Sequence, residues 1–367
     1  MLDYIRETPD VLLNIIDHSE EYTKALVDAY LEQKCDGLYL IASGSSYNGS
    51  LIAKPFIRHI LGTEMILQTP FTFVNHELNY IGDQLFIAVS QSGCSTNTLD
   101  ALKALKEKGK FTSCLVGRDD CDARDIADLT VNWQVGEEKV GFVTVGVSSL
   151  TCFLMCFALE LARKTGKITD EKYDHAKTQL RKTQTIQPEM LEKTIELFNR
   201  KKEDFTDPSR VILLSSGPQY GIVVEGALKV AETSCISAMA YEAEEFLHGP
   251  IYPSRPEDLI LIADNGDDPS SERMLDIADA LRDITEKVFV ITDSERIDED
   301  HRFSTSDHTC KYTSVLYKLT CLQTLACLMT ENSNHYEPHE CVKAFRKANK
   351  VASKTREDLY LNLQKIE

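Results

Sequence analysis

Residues 211–253 read VILLSSGPQYGIVVEGALKVAETSCISAMAYEAEEFLHGPIYP. The apolar run Val211 to Leu214 stops at Ser215-Ser216-Gly217, and Pro218 stands where a first helical residue would, so the segment reads strand, tight turn, helix. From about Gln219 the pattern is helical. At about 100° per residue, Glu225, Lys229 and Glu232 fall near one line along that helix, so one face carries carboxylate, ammonium and carboxylate. The same i, i+4 spacing is also that of an ordinary solvated ion pair that stabilises a helix. Beyond Glu232, His248 precedes the turn residues Gly249-Pro250, which leave its imidazole beside a loop. A carboxylate, an ammonium and an imidazole at the strand-to-helix end of an α/β unit are the parts of a proton-transfer site.

The pattern occurs once before. Gly37 to Ala42 is an apolar strand that Ser43-Gly44-Ser45-Ser46-Tyr47 turns into a helix, and Ser216-Gly217-Pro218-Gln219-Tyr220 repeats that turn 173 residues later. The expected fold class is therefore α/β, with two tandem three-layer αβα domains, each a mostly parallel sheet with helices on both faces. The expected division is a helical lead-in over 1–34, a first domain over 35–165, a helical charged linker over 166–207, a second domain over 208–332 and a tail over 333–367. Pro9 is expected in the first turn of a lead-in helix, and Pro188 and Pro208 as breaks in or after the linker. Further strands are expected at Leu85–Val89, Phe111–Val116, Leu129–Trp133, Leu259–Ala263 and Val288–Thr292, and a long helix at Lys311–Met329.

In the first copy, Leu85–Val89 ends in Ser90-Gln91-Ser92-Gly93-Cys94-Ser95-Thr96 and continues as a helix. Hydroxyls, a glycine and backbone amides at a helix N-terminus form an anion site without any cation. Ser45, Ser46, Ser90, Gln91, Ser92 and Ser95 are thus candidates for holding a phosphoryl group, against the ordinary use of Ser as a helix cap. At the matching place the second copy has Asp264-Asn265-Gly266-Asp267-Asp268, whose carboxylates would repel a phosphate. The first copy is expected to hold the phosphate and the second to supply Glu225, Lys229, Glu232 and His248.

With 367 residues the chain suits two domains. A net charge of −18 argues against nucleic acid or an anionic membrane as partner. The eleven cysteines include no C-x-x-C, and the charged opening MLDYIRE lacks the apolar core of a leader, which together point to reduced thiols in a cytoplasm. Phe142–Leu159 carries no charge and touches the length of a membrane span, but it opens as a loop and a Ser cap, leaving about a dozen residues before Glu160 for a buried helix. His335, His339 and Cys341 match no common zinc spacing, so no metal is expected there.

EGALKVAETS followed by AYEAEEFLHGP resembles the second-domain segment of the tandem sugar isomerase (SIS) family, in which EGALK, a following Glu and E-x-x-HGP recur at this spacing. SQSG with a nearby hydroxyl residue is similar to that family's phosphosugar-binding loop, commonly S-Q-S-G-E-T; here Cys94 replaces the acidic residue and Ser95 the Thr. The resemblance implies that one domain carries the sugar phosphate while the other brings the acid/base residues. It also implies that the HGP histidine, His248, is supplied across a homodimer or higher homo-oligomer with a shared active site. It sets Thr144 near a sugar-contacting Ser, and Glu337-Pro338 followed by Lys343 is similar to the carboxy-terminal tail of glucosamine-6-phosphate synthase, whose Lys contacts the sugar, which adds Lys343 to the expected catalytic residues. The opening MLDYIRETPDVLL is similar to the segment that leads into the isomerase half of those synthases, so a glutaminase domain is not expected.

What the resemblance leaves is proton transfer between C1 and C2 of a 6-phosphorylated ketose. Glu232 would move the carbon-bound proton, His248 would open the ring, and Glu225 and Lys229 would fix the substrate, with neither metal nor organic cofactor. Stand-alone chains of this kind resemble deglycases of fructoselysine or glucoselysine 6-phosphate, which release a sugar 6-phosphate and a free amine. The implied partner is then a small phosphorylated sugar-amine. An amino-sugar phosphate isomerase or glucosamine-6-phosphate deaminase, and a non-catalytic sugar-phosphate-binding regulator, are the alternatives.

Overall fold

Runs that are apolar on both faces become central strands of parallel sheets, because helices cover such sheets on both sides. A computed structural model describes residues 1–136, 138, 142–266, 268–333 and 338–347. Its first sheet contains β1 (Leu38–Ala42), β2 (Met65–Gln68), β3 (Leu85–Ser90), β4 (Thr112–Val116) and β5 (Leu129–Asn132), in the order β2-β1-β3-β4-β5. The second contains β6 (Val211–Ser215), β7 (Ala238–Glu242), β8 (Leu259–Ala263), β9 (Val288–Ile291) and β10 (Arg302–Phe303), in the order β7-β6-β8-β9-β10. Every pairing is parallel. With β6 matched to β1, the two orders are the same, as the sequence repeat requires. The α/β class and the paired parallel-sheet domains expected from the repeat are what the chain adopts.

All residues of β1, β3, β4, β6, β8 and β9 are buried, and these are the strands legible as apolar runs. The edge strand β5 was expected as well, whereas the edge strands β2, β7 and β10 were not anticipated. They are short or mostly half-buried, which weakens the apolar signal that marks a central strand.

By contact the chain forms two units that are not contiguous in sequence. One is built chiefly from Asn14–Lys139 and Ser149–Tyr173, the other from Met1–Leu13, Val140–Ser148 and Asp174–Pro338. Helix Asp170–Arg200 occupies most of the segment expected as a linker.

Two proline readings are corrected. Pro9 lies inside helix Leu2–Asp17, and Pro188 lies inside helix Asp170–Arg200 without ending it. A proline within a helix costs about 3 kcal/mol. Burial of Leu180, Ile186, Met190, Leu191, Leu197 and Phe198 along the second helix offsets that cost. The uncharged run is corrected in length. It forms helix Val145–Lys164, which continues past Glu160 because that carboxylate is buried with partners, accepting hydrogen bonds from Ser19 Oγ and, at 2.7 Å, from Tyr173 Oη. The helix is long and apolar enough to cross a membrane, and its apolar window is wholly buried inside the protein. All eleven cysteines are free thiols.

Helix Tyr220–Ser234, which follows β6, packs against the buried helix Val315–Asn332 through Gly226. A Cβ there would lie 2.9 Å from both Leu213 Cδ2 and Leu322 Cδ1. Gly226→Val is expected to lower the unfolding free energy by about 1–3 kcal/mol through overpacking, read as a lower denaturant midpoint. An unchanged midpoint would show that this close approach is not needed.

Candidate functional site

In an open parallel sheet, ligands sit beyond the carboxyl ends of the strands where the strand order reverses. In the first unit that point lies between β1 and β3. After β1, Ser43 is extended (φ −132°, ψ 155°) and Gly44 takes φ +56° to begin helix Gly44–Leu61. Ser45 is buried in the first turn of that helix, and the Ser46 carbonyl accepts from Ser50 Oγ at 2.8 Å. After β3, the Ser90 hydroxyl accepts from the Gly93 N–H at 3.2 Å and donates to Ser95 Oγ at 3.2 Å, with Ser92 Oγ 3.5 Å away. Ser92 Oγ accepts from the Cys94 N–H at 3.2 Å. Gly93 has φ +63°, and a Cβ on it would lie 2.6 Å from Cys121 Sγ, so only glycine fits this turn. Ser95 occupies the N-cap position of helix Thr96–Glu107 without a side-chain cap bond.

The structure thus gathers Ser90, Ser92 and Ser95 at one helix N-terminus. Asn97 Nδ2 donates to Ser43 Oγ at 3.2 Å and ties the neighbouring turn, which holds Ser45 and Ser46, to this one. Gln91 is fixed by its carbonyl, which accepts from the Gly117 N–H at 3.0 Å, and its Nε2 donates to Glu138 Oε2 at 3.1 Å. Asn97 and Glu138 escaped the sequence reading. Asn97 stands in the first turn of a helix and carried that signal, whereas Glu138 is 47 residues from its partner and carried none.

In the second unit Glu225, Lys229 and Glu232 do share one face of helix Tyr220–Ser234, and the face is buried, not solvated. The Glu225 side chain is 0% exposed, Lys229 1% and Glu232 31%. The Lys229 ammonium lies 3.3 Å from Glu225 Oε1 and hydrogen-bonds Glu232 Oε1. A buried ammonium of this kind requires close carboxylates to offset its lost hydration. Glu232 is the most exposed of the three, and its hydrogen bond to Lys229 uses Oε1, with no other hydrogen bond of its carboxylate among the described residues.

The second unit repeats the first turn and then departs from it. Ser216 (φ −139°, ψ 163°) and Gly217 (φ +54°) repeat Ser43 and Gly44. The last paired residues, Ala42 with Val89 and Ser215 with Ala263, match, so Asp264, Asn265 and Gly266 stand where Ser90, Gln91 and Ser92 do. Asn265 Nδ2 donates to the Ser216 carbonyl and hydroxyl, each at 3.1 Å, and to Ser270 Oγ at 3.2 Å. Asp268 accepts from the Ser270 N–H at 2.9 Å and hydroxyl at 2.6 Å and pairs with Lys311. The Lys311 ammonium, followed by those Ser270 donors, pulls the Asp268 carboxyl down to about 2. The donors at this turn are therefore engaged by a carboxylate of the chain itself.

Residues 204–298, which hold this second turn and the helix with Lys229, match the family model described as SIS domain. This chain belongs to the SIS-domain family. It is 30% identical over 268 residues to glutamine–fructose-6-phosphate aminotransferase (isomerizing) of Pseudomonas syringae pv. tomato, an alignment covering 68% of the chain and 42% of that relative. It is 26% identical over 345 residues to the Vibrio parahaemolyticus protein of the same name, covering 88% and 54%. The chain thus spans about half or less of the length of these relatives. Among solved structures, the C-terminal domain of glucosamine-fructose-6-phosphate aminotransferase from Francisella tularensis superposes with a TM-score of 0.82 at 22% identity, covering 92% of this chain and 97% of that one. Tagatose-6-phosphate ketose/aldose isomerase from Escherichia coli gives 0.70 at 17%, covering 92% and 95%. Both show the fold.

The remaining candidates of this SIS chain lie on other elements. His248 is exposed and follows helix Ala243–Leu247, and no hydrogen bond or ion pair within the chain joins its ring to Glu232. The Arg273 guanidinium, with a smaller contribution from His248, holds the neighbouring Glu244 carboxyl below its usual range. Thr144 is fully buried, its hydroxyl donating to the Phe142 carbonyl at 3.1 Å and its carbonyl accepting from Gln323 Nε2 at 2.9 Å. Lys343 lies on helix Glu340–Lys347, with Nζ 3.0 Å from Glu340 Oε1. Glu337 and His335 lie outside the described residues, and His339 Nδ1 lies 3.0 Å from Cys341 Sγ. No group of three or more metal-ligating side chains occurs among the described residues.

Two outcomes are expected. Lys229→Met removes the ammonium beside the buried Glu225 carboxylate and should cost about 3–5 kcal/mol in chemical denaturation, a loss that Glu225→Gln in the same chain partly restores. Asp268 is lowered on folding, so its contribution, up to about 2 kcal/mol, is present above pH 4 and disappears as pH falls toward 2. Asp268→Asn should therefore destabilise at pH 7 and lose that effect near pH 2, as read from paired unfolding curves.

Proposed function

We propose that this SIS chain is an enzyme of the phosphosugar isomerase type that acts as a deglycase on a ketosamine 6-phosphate. The observation that carries the proposal is the Glu225–Lys229–Glu232 set. A buried ammonium held by one wholly buried carboxylate fixes a second, partly exposed carboxylate through one of its oxygens. A general base needs such a group, held in place and open to a substrate. The hydroxyl-and-amide turn at Ser90–Ser95, with Gln91, Ser45 and Ser46, suits a phosphoryl group. The names of the similar proteins, which concern fructose 6-phosphate amination and ketose/aldose isomerisation, agree with 6-phosphorylated sugar chemistry.

In this reading Glu232 takes a proton from C1 of the open-chain ketosamine, forming a 1,2-enaminol. A proton returned to C2 gives the C1 imine, and water hydrolyses it to the sugar 6-phosphate and the free amine. His248 would open the ring, in keeping with its exposure at the surface if a second copy of the chain supplies it. Lys343 and Thr144 are assigned only to contacts with the sugar.

Incubation with fructoselysine 6-phosphate, with release of glucose 6-phosphate and lysine measured, tests the proposal. Glu232→Gln should lower turnover by at least about 100-fold while binding persists, because general base catalysis contributes about that much. Ser92→Ala should raise the KM for phosphorylated substrate several-fold with a smaller change in kcat. Turnover of an amino sugar phosphate but no ketosamine would replace the deglycase with an isomerase or deaminase, and ligand binding with no turnover of either would make the chain a sensor.

A further inference from the structure

The two helices that carry an internal proline, Leu2–Asp17 and Asp170–Arg200, meet at a cleft of about 200 Å3 whose lining belongs to one of the two units. Ile5, Pro9 and Leu191 line it as buried residues and make its floor apolar. Pro9 has no N–H to give the Ile5 carbonyl, so that acceptor loses its i+4 donor on a residue of the floor. Arg6, from the first helix, and Glu192, from the second, line the cleft as exposed residues of opposite charge. They do not pair with each other. Arg6 Nη1 lies 3.3 Å from Asp3 Oδ1, an exposed contact that leaves further guanidinium N–H groups to donate. The Glu192 carboxylate makes no hydrogen bond or ion pair among the described residues.

Clefts that hold a drug-sized ligand measure about 300–1,000 Å3, so this one suits a smaller molecule, with room for about seven water volumes. Its floor asks for an aliphatic group, the guanidinium for a carboxylate, and Glu192 with the Ile5 carbonyl for an ammonium. We propose that the cleft binds a free aliphatic α-amino acid, with its carboxylate on Arg6, its ammonium on Glu192 and its side chain against Ile5, Pro9 and Leu191. The two lips carry opposite charges that a zwitterion matches together and a singly charged molecule matches only in part. None of these residues belongs to the catalytic reading, so the two stand or fall separately.

Calorimetric titration of the full chain with L-leucine, 4-methylpentanoate and isopentylamine tests the proposal, the last two being leucine without its ammonium and without its carboxylate. L-Leucine should bind with Kd on the order of 1 mM, as a ligand of under about ten heavy atoms can, and each singly charged analogue about fivefold more weakly. Glu192→Gln should weaken L-leucine and isopentylamine by about that factor and leave 4-methylpentanoate unchanged. Arg6→Gln should weaken L-leucine and 4-methylpentanoate and leave isopentylamine unchanged. Both positions are exposed, so the denaturant midpoints of the variants should match that of the parent chain. No heat with L-leucine up to about 20 mM, affinities in both variants equal to those of the parent, or equal losses for all three ligands would overturn the assignment.

Discussion

A parallel sheet whose strand order reverses must send the chain away from two adjacent strand ends in opposite directions, so two polar turns face one gap with no strand between them. Both sheets of this chain have that reversal, between β1 and β3 and between β6 and β8. The backbone solution is shared, a Ser in extended conformation followed by a Gly at φ +56° or +54°. The two copies differ in what they place in the gap. In the first, Ser90, Ser92 and Ser95 bond to one another and to turn amides, groups that can turn to an incoming acceptor. In the second, Asp268 accepts from Ser270 and pairs with Lys311, so the chain supplies its own anion. A chain of net charge −18 offers an anion no attraction at long range, so any attraction at such a turn must come from short-range dipoles.

The helix that leaves β6 carries the other constraint. Its Gly226 lets it lie against helix Val315–Asn332, and its Glu225–Lys229 pair is removed from water. A charge pair so placed is stable only with both partners present. That requirement orients Lys229, and Lys229 in turn positions Glu232, the member of the set that solvent reaches. Packing and the placing of Glu232 therefore depend on the same few residues of one helix.

Much of this was legible from local pattern. Six strands buried along their whole length announced themselves as apolar runs, and the Ser-Gly turn with its Tyr marked the duplication. Local pattern misled where distant contacts decided. Pro9 and Pro188 resembled boundaries, yet burial of the helices around them outweighs a missing hydrogen bond. Glu160 resembled the end of an apolar helix, yet Ser19, 141 residues away, helps to satisfy its carboxylate and the helix runs on. Edge strands β2, β7 and β10 are short or face partly outward, which weakens the signal that betrays a central strand.

By itself, then, the amino-acid order determined the α/β class, the twofold repeat, the hydroxyl turn after β3 and the alignment of Glu225, Lys229 and Glu232 on one helix face, because each follows from residue periodicity or turn chemistry within a few positions. Whether that face would be dry or solvated, which carboxylate would meet Lys311 and which would meet Gln91 were left to the tertiary structure. These are contacts between residues tens of positions apart. Their strength comes from burial and from the approach of charges, which exist only once the sheets and helices have assembled.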